Sequence, residues 1–330
     1  MTRTKDLSAP VLVAGAGGFI GGWLVRSLAS QGYKDIRAVD NKPSSEWYQS
    51  FPEVHNMVLD LRLKDDCYAA VEGRQKVFNL AADMGGMGFI EANKALCMLS
   101  VLINTHLLEA SKEFGVEKFF FASSACVYAA DKQISNEIAG LRESDVYPAM
   151  PEDGYGWEKL FSERMVRHFD EDFGILGRVA RYHNVYGPHG TWDGGREKAP
   201  AALARKVAIA KLSGDHQIEI WGDGEQTRSF TYIDDAVYGT ELFMESDFAG
   251  PMNIGSDEMV SINQMVTMLE EIANIKLRRH YVLDAPLGVR GRNSDNALIT
   301  EKLGWAPTTP LSEGLAKTYE WILVQAESKR

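Results

Sequence analysis

One stretch constrains this chain more than any other. The apolar run Pro10–Ala14 (PVLVA) leads straight into Gly15, Gly18 and Gly21 of GAGGFIG, and an amphipathic segment follows through Ala29. A short apolar run, a turn too tight for side chains and a helix, in that order, open a βαβ unit. Further apolar runs at Ile36–Asp40, Val54–Leu59, Lys76–Ala81 and Lys118–Ala122 read as strands. Helical patterns separate several of them, the longest spanning Glu91–Phe114. Short apolar strands alternating with helices predict an α/β fold with a parallel sheet covered on both faces. Right-handed crossovers make it a doubly wound Rossmann sheet.

Beyond about Arg178–Tyr182 the pattern loosens, and loops rich in glycine and charge (GPHGTWDGGREK, WGDGEQTRS, PLGVRGRNSDN) interrupt short elements. Residues 1–182 are expected to form mainly the nucleotide-binding domain. Residues 183–330 are expected to form mainly a smaller, interleaved α/β substrate-binding lobe, with some segments returning to the first domain. That lobe would face the carboxyl edge of the sheet, where such folds bind ligands.

Charge and cysteine content narrow the partners. With 46 acidic against 35 basic side chains the net charge is −11, a field that repels nucleic acid and anionic membrane. Anionic small molecules then require a local cluster of cations. The three cysteines, Cys67, Cys97 and Cys126, have neither CxxC nor Cys/His spacing, so neither a disulfide framework nor a metal site is expected. The N-terminal MTRTKDLSAP lacks an apolar core and no stretch approaches a membrane span, so a cytoplasmic location is expected.

The glycine trio lets the backbone turn, approach a pyrophosphate and pack its helix on the sheet, whose free N–H groups then meet the phosphates. Asp40, ending the second strand, suits the adenosine ribose hydroxyls and would repel a 2′-phosphate, which favours NAD over NADP. Asp60, ending the third, suits the adenine edge. Tyr155 and Lys159 of YGWEK stand four apart on one helix face. For tyrosine to serve as a base near pH 7 its pKa must fall about three units from about 10, roughly 4 kcal/mol. The Lys159 ammonium and a cationic nicotinamide would supply this, and Ser124, in the loop after FFFA, is a hydrogen-bond partner for the same substrate oxygen.

With GxxGxxG, SSxxxY and YxxxK in this order, the chain resembles the extended short-chain dehydrogenase/reductases over almost its whole length. Longer strings are more specific. DMGGMGFI, SSAC, RYHNVYGP, GTWDGGREKAPAA, WGDGEQTRSFTYID, NIGSDEMVS and GVRGRNSDN are similar to those of the GDP-mannose 3,5-epimerases, a sugar-nucleotide branch of that family. The resemblance implies Ser124, Tyr155 and Lys159 as a hydride-transfer triad, Lys159 also touching the nicotinamide ribose. It implies Cys126 and Lys198 as an acid–base pair. It implies retained NAD, a 4-keto intermediate, inversion at C3 and C5 of GDP-mannose to GDP-L-galactose and possibly GDP-L-gulose, and a homodimer packed through helices beginning near Glu91 and Tyr155.

For the substrate the resemblance implies Gly85 with Gly86, Ser123, Ser124, Asn184, Glu197, Lys198, Lys206, Gln226, Arg228 and Arg290 or Arg292. Asn184, Lys198, Lys206 and Arg228 match most firmly. Trp192 and Trp221 are candidates either for the pocket wall or for core packing. The chain departs from the family pattern at Gly154, where alanine is usual, at Tyr128-Ala-Ala-Asp, and in KVAIAKLSGDHQIEI, which is a few residues longer than in the plant-type enzymes. Competing readings are weaker on their residues. A 4,6-dehydratase needs a carboxylate where Ala125 and Cys126 stand. A GDP-fucose synthase uses a histidine acid and consumed NADPH. A non-catalytic NAD sensor needs no triad. A C4-epimerase of another GDP-sugar is the serious alternative, because 4-keto chemistry needs only triad and cofactor.

Overall fold

The computed structural model describes residues 6–329. Five strands form where the apolar runs lie, β1 (Val11–Ala14), β2 (Ile36–Asp40), β3 (His55–Val58), β4 (Lys76–Asn79) and β5 (Lys118–Ser124), and β6 (Leu176–Tyr182) follows them. Between them run α1 (Phe19–Gln31), α2 (Lys64–Val71), α3 (Met87–Ala92), α4 (Lys94–Met98), α5 (Ser100–Phe114) and α6 (Asp153–Phe173). The second half adds β7 (Val185–Tyr186), α7 (Ala199–Ser213), β8 (Gln217–Trp221), β9 (Thr227–Ser229), β10 (Thr231–Tyr232), α8 (Ile233–Glu245) and β11 (Met252–Ile254). It ends with β12 (Met259–Ser261), α9 (Ile262–Ala273), β13 (Arg278–Val282), β14 (Gly291–Arg292), α10 (Ala297–Leu303) and α11 (Leu311–Ser328).

The central sheet has the order β11-β6-β5-β4-β1-β2-β3, all pairs parallel. Strand order reverses between β1 and β4, which opens a crevice at their carboxyl ends. The strands are apolar on both sides because both faces are covered. Val11 and Val13 join Leu24 and Leu28 of α1 in one core layer, whereas Leu12 and Ala14 join Leu107 and Leu108 of α5 in the other. β11, late in the chain, pairs with β6, so a segment from the second half completes the central sheet. The remaining strands build small sheets at its carboxyl edge, among them β12-β9-β14 and β13-β8.

The helix expected over Glu91–Phe114 is three pieces. Asn93 leaves helical geometry at φ −131° and its amide donates to the Phe89 carbonyl at 2.9 Å, so the chain re-enters a helix at Lys94 and again at Ser100. Apolar periodicity runs through such a break and does not reveal it. Gly154 has a physical reason: a Cβ there would lie 2.9 Å from the Lys94 carbonyl oxygen and 3.2 Å from Met98 Cγ. Its absence lets α4 pack directly on α6. Among the described residues no helix is long and apolar enough to cross a membrane.

Candidate active site

At the first βα turn Gly15 takes φ +82°, and a Cβ there would strike the backbone of Leu80 and Ala81 at the end of β4. Gly18 caps α1, and Gly21 packs its Cα against the Gly15 carbonyl with no room for a side chain. The α1 N-terminus therefore opens over the crevice with its N–H groups free of side-chain cover. Asp40 ends β2, almost buried, with its carboxylate accepting from the Lys42 N–H at 3.1 Å. These residues fit a dinucleotide: a backbone cradle that a Cβ would fill, a helix N-terminus for the pyrophosphate and a carboxylate for the ribose. Asp60 lies two residues beyond β3, but its carboxylate is forked by Arg62 at 2.6 and 2.9 Å, which holds it below the usual range. Gly21→Ala is expected to weaken NAD binding at least about tenfold (~1.4 kcal/mol) by prising α1 off the turn. Calorimetric titration checks this, and an unchanged Kd would remove the turn from the cofactor site.

Beside the crevice lies a cleft of about 320 Å³. Gly85, Gly86, Ser124, Cys126, Tyr155, Asn184, Glu197, Lys198, Lys206, Gln226 and Arg228 all line it, although they come from seven separate stretches of chain. Local packing explains the convergence at its floor. Ser124 ends β5 and its hydroxyl accepts the Cys126 N–H at 3.2 Å, which tightens the chain into a single 3₁₀ turn. Gly156 on α6 then allows the Cys126 carbonyl to sit where a Cβ would be, and that same carbonyl accepts the Glu152 N–H at 3.0 Å. Cys126 and Tyr155 are thereby brought into one cluster with Ile90 and Cys97.

Tyr155 is buried and hydrogen-bonded to Ser124, and burial pushes its phenol well above its ordinary value. Positive charge must reverse that shift for the phenolate to form. The Lys159 ammonium lies 5.6 Å from the Tyr155 ring centroid and 4.7 Å from that of Phe121, beneath the cleft. Glu158, also buried, stands 3.5 Å from it and tempers its field. Lys198 caps α7 just ahead of Pro200 and its ammonium is pushed down by burial, with the Cys126 sulfur opposing. A lysine so shifted releases a proton more readily than one in water. Arg228, pushed down to about 10 by burial, remains a cation at neutral pH and is braced by the carbonyls of Thr227, Leu287 and Val289.

Several expected contacts take a different form. Ser123 points away from the cleft, because neighbours on a strand face opposite sides, and its hydroxyl donates to Glu163 at 2.5 Å. Arg290 lies outside the cleft, paired at 2.9 Å through both terminal nitrogens with Asp223, while Arg292 lines it. Gly86 serves the protein's own backbone: a Cβ there would strike the Glu197 carbonyl, and its N–H donates to Arg196 at 3.0 Å. Asn184, in the left-handed region at φ +43°, spends its amide N–H on the Ser229 carbonyl. Lys206 reaches the Glu219 carbonyl at 2.8 Å, and Glu197 holds Arg205 at 2.8 Å. Trp221 lines the cleft, whereas Trp192 packs on the core beneath Lys329. Arg205, Glu152 and Tyr182, unremarked in the sequence, line the cleft too. Gln226 Oε1 is buried and, among the described residues, meets no donor. Among the described residues no cluster of His, Cys, Asp and Glu could hold a metal.

The first βα turn opens beside a cleft lined by Ser124 and Tyr155, with Lys159 beneath it, and the chain belongs to the NAD dependent epimerase/dehydratase family, whose model matches residues 11–255. More particularly, it is 48% identical over 327 residues to GDP-mannose 3,5-epimerase 1 of Oryza sativa subsp. japonica, covering 97% of this chain and 83% of that one. GDP-mannose 3,5-epimerase of Arabidopsis thaliana is likewise 48% identical over 321 residues, covering 97% and 84%. Among solved structures, UDP-glucose 4-epimerase of Thermotoga maritima superposes with a TM-score of 0.86 at 26% identity, over 96% of this chain and 99% of that one.

Proposed function

We propose that this chain is an NAD-dependent epimerase that inverts C3 and C5 of GDP-mannose, giving GDP-L-galactose after both inversions and GDP-L-gulose after inversion at C5 alone. The observation that carries the reading is the thiol of Cys126 and the ammonium of Lys198 on the same cleft as Tyr155 and Ser124. Proton removal from a sugar carbon bearing only hydroxyl neighbours is beyond any side chain. Once C4 is a ketone, the hydrogens on C3 and C5 become acidic enough for a modest base. Held by the Gly15–Gly21 turn, the α1 N-terminus and Asp40, NAD would supply reversible hydride transfer at C4. Tyr155, hydrogen-bonded to Ser124 and facing Lys159, takes and returns the C4 hydroxyl proton. Cys126 and Lys198, both lining the cleft, then exchange the carbon-bound protons, one removing and the other replacing with inverted configuration.

Arg228 supports the diphosphate, being half-buried, cationic and braced by carbonyls; Lys206, Asn184 and Gln226 support the remainder of the nucleotide sugar. In this reading the central sheet and its helices serve the cofactor, and the small sheets at its edge serve the sugar nucleotide. A homodimer packed through α5 and α6 is supported by Leu102, Trp157 and Phe161, large apolar side chains left exposed on those helices. The three free, buried cysteines support work in the reducing cytoplasm. Incubation of the enzyme with NAD and GDP-mannose in deuterated water is expected to place deuterium on C3 and C5 of the product, read by NMR. A product inverted at C4 without carbon-bound deuterium would establish a C4-epimerase instead.

A further inference from the structure

Arg292 is buried and makes three contacts: Nε donates to Gln133 Oε1 at 2.7 Å, one terminal nitrogen lies 3.5 Å from Cys126 Sγ, and the other pairs with the Glu152 carboxylate. Glu152 also lines both the cleft and a more open neighbouring cavity, each of which reaches Cys126 and Tyr155. Its backbone N–H holds the Cys126 carbonyl, so carboxylate and thiol are fixed in one frame. We propose that Glu152 is a positioning residue that sets the protonation of Cys126 by partly cancelling the charge of Arg292. The proposal rests on Cys126 as a proton carrier.

The groups facing Cys126 explain the need. Arg292 comes from β14, Lys198 from the start of α7, Arg228 from β9 and Tyr155 from α6, with the Cys97 thiol of α4 behind. Glu91, the paired Lys94 and Asp153, and Arg290 edge the more open cavity. Three cations, Arg292, Lys198 and Arg228, therefore stand around one sulfur. A residue that must both give and take a proton needs its two forms close to balance at working pH. Glu152 is the carboxylate paired directly with one of these cations. Gln133 holds the other edge of the guanidinium, so Arg292 keeps its place when the carboxylate is neutralised.

The test needs no sugar. Iodoacetamide alkylation of the holoenzyme is followed from acid to alkaline pH by mass spectrometry of the peptide containing Cys126. Glu152→Gln, close to isosteric, is expected to lower the midpoint by about one unit, about tenfold more thiolate at a fixed pH below it. Glu152→Asp is expected to return the midpoint toward the parent value. A midpoint unchanged or raised in Glu152→Gln overturns the proposal, even if turnover falls, since lost packing alone would do that. If that variant does not fold, Arg292→Met decides: an upward shift of about one unit supports the proposal and no shift overturns it. Absence of turnover on GDP-mannose would defeat the proposed function while leaving this measurement intact.

Discussion

Cys126→Ser is expected to slow inversion by about 10²–10⁴-fold, the usual contribution of a positioned acid or base, while oxidation at C4 continues. Serine keeps the 3₁₀ turn, because the contacts that form it use the Ser124 hydroxyl and the backbone of residue 126. It loses the thiol as a proton carrier, since a hydroxyl ionises far above a thiol. Rapid mixing with GDP-mannose should therefore still produce reduced-nicotinamide absorbance, and NMR in deuterated water should report loss of label at the carbon that Cys126 serves. Full turnover in this variant would remove Cys126 from the mechanism.

The second large effect concerns stability. Arg181→Met is expected to cost about 3–5 kcal/mol, because it strands a buried carboxylate. Arg181 and Glu163 are both buried and joined by two contacts of 2.7 and 2.9 Å, and Glu163 also accepts the Ser123 hydroxyl. Arg181 reaches further, to the Glu143 carbonyl at 2.8 Å. These bonds tie β5, β6 and α6 together directly behind the site. Urea unfolding should register the loss, and Arg181→Met/Glu163→Leu should recover much of it, because no charge is then left unpaired. A single-variant loss under about 1 kcal/mol would mean that water reaches Glu163.

The nucleotide half was legible because its signals are local. The strand before Gly15, the helix opening after Gly18 and the acid at Asp40 each follow from chain geometry within one βαβ unit. YGWEK likewise fixes the relation of Tyr155 to Lys159 within one helix turn. The glycines at 154 and 156 mark close approaches, yet which backbone approaches them is a tertiary fact. Arg290 and Arg292 illustrate the limit. Both flank Gly291 at the start of β14, and their different fates depend on Asp223 in one case and on Gln133 and Glu152 in the other, all remote in sequence. Ser123 and Ser124 differ through strand alternation, which is readable only once the last strand residue is known.

Because residue 156 lacks a side chain, the segment carrying the sulfur is seated on the very helix that carries the phenol. Redox and stereochemical change thus share one rigid mount, and a reactive ketone need not be handed from one station to another. An enzyme engineer can therefore exchange position 126 for other proton donors and keep the oxidising half in register. Enlarging residue 156 would uncouple the two and invite escape of the half-finished sugar.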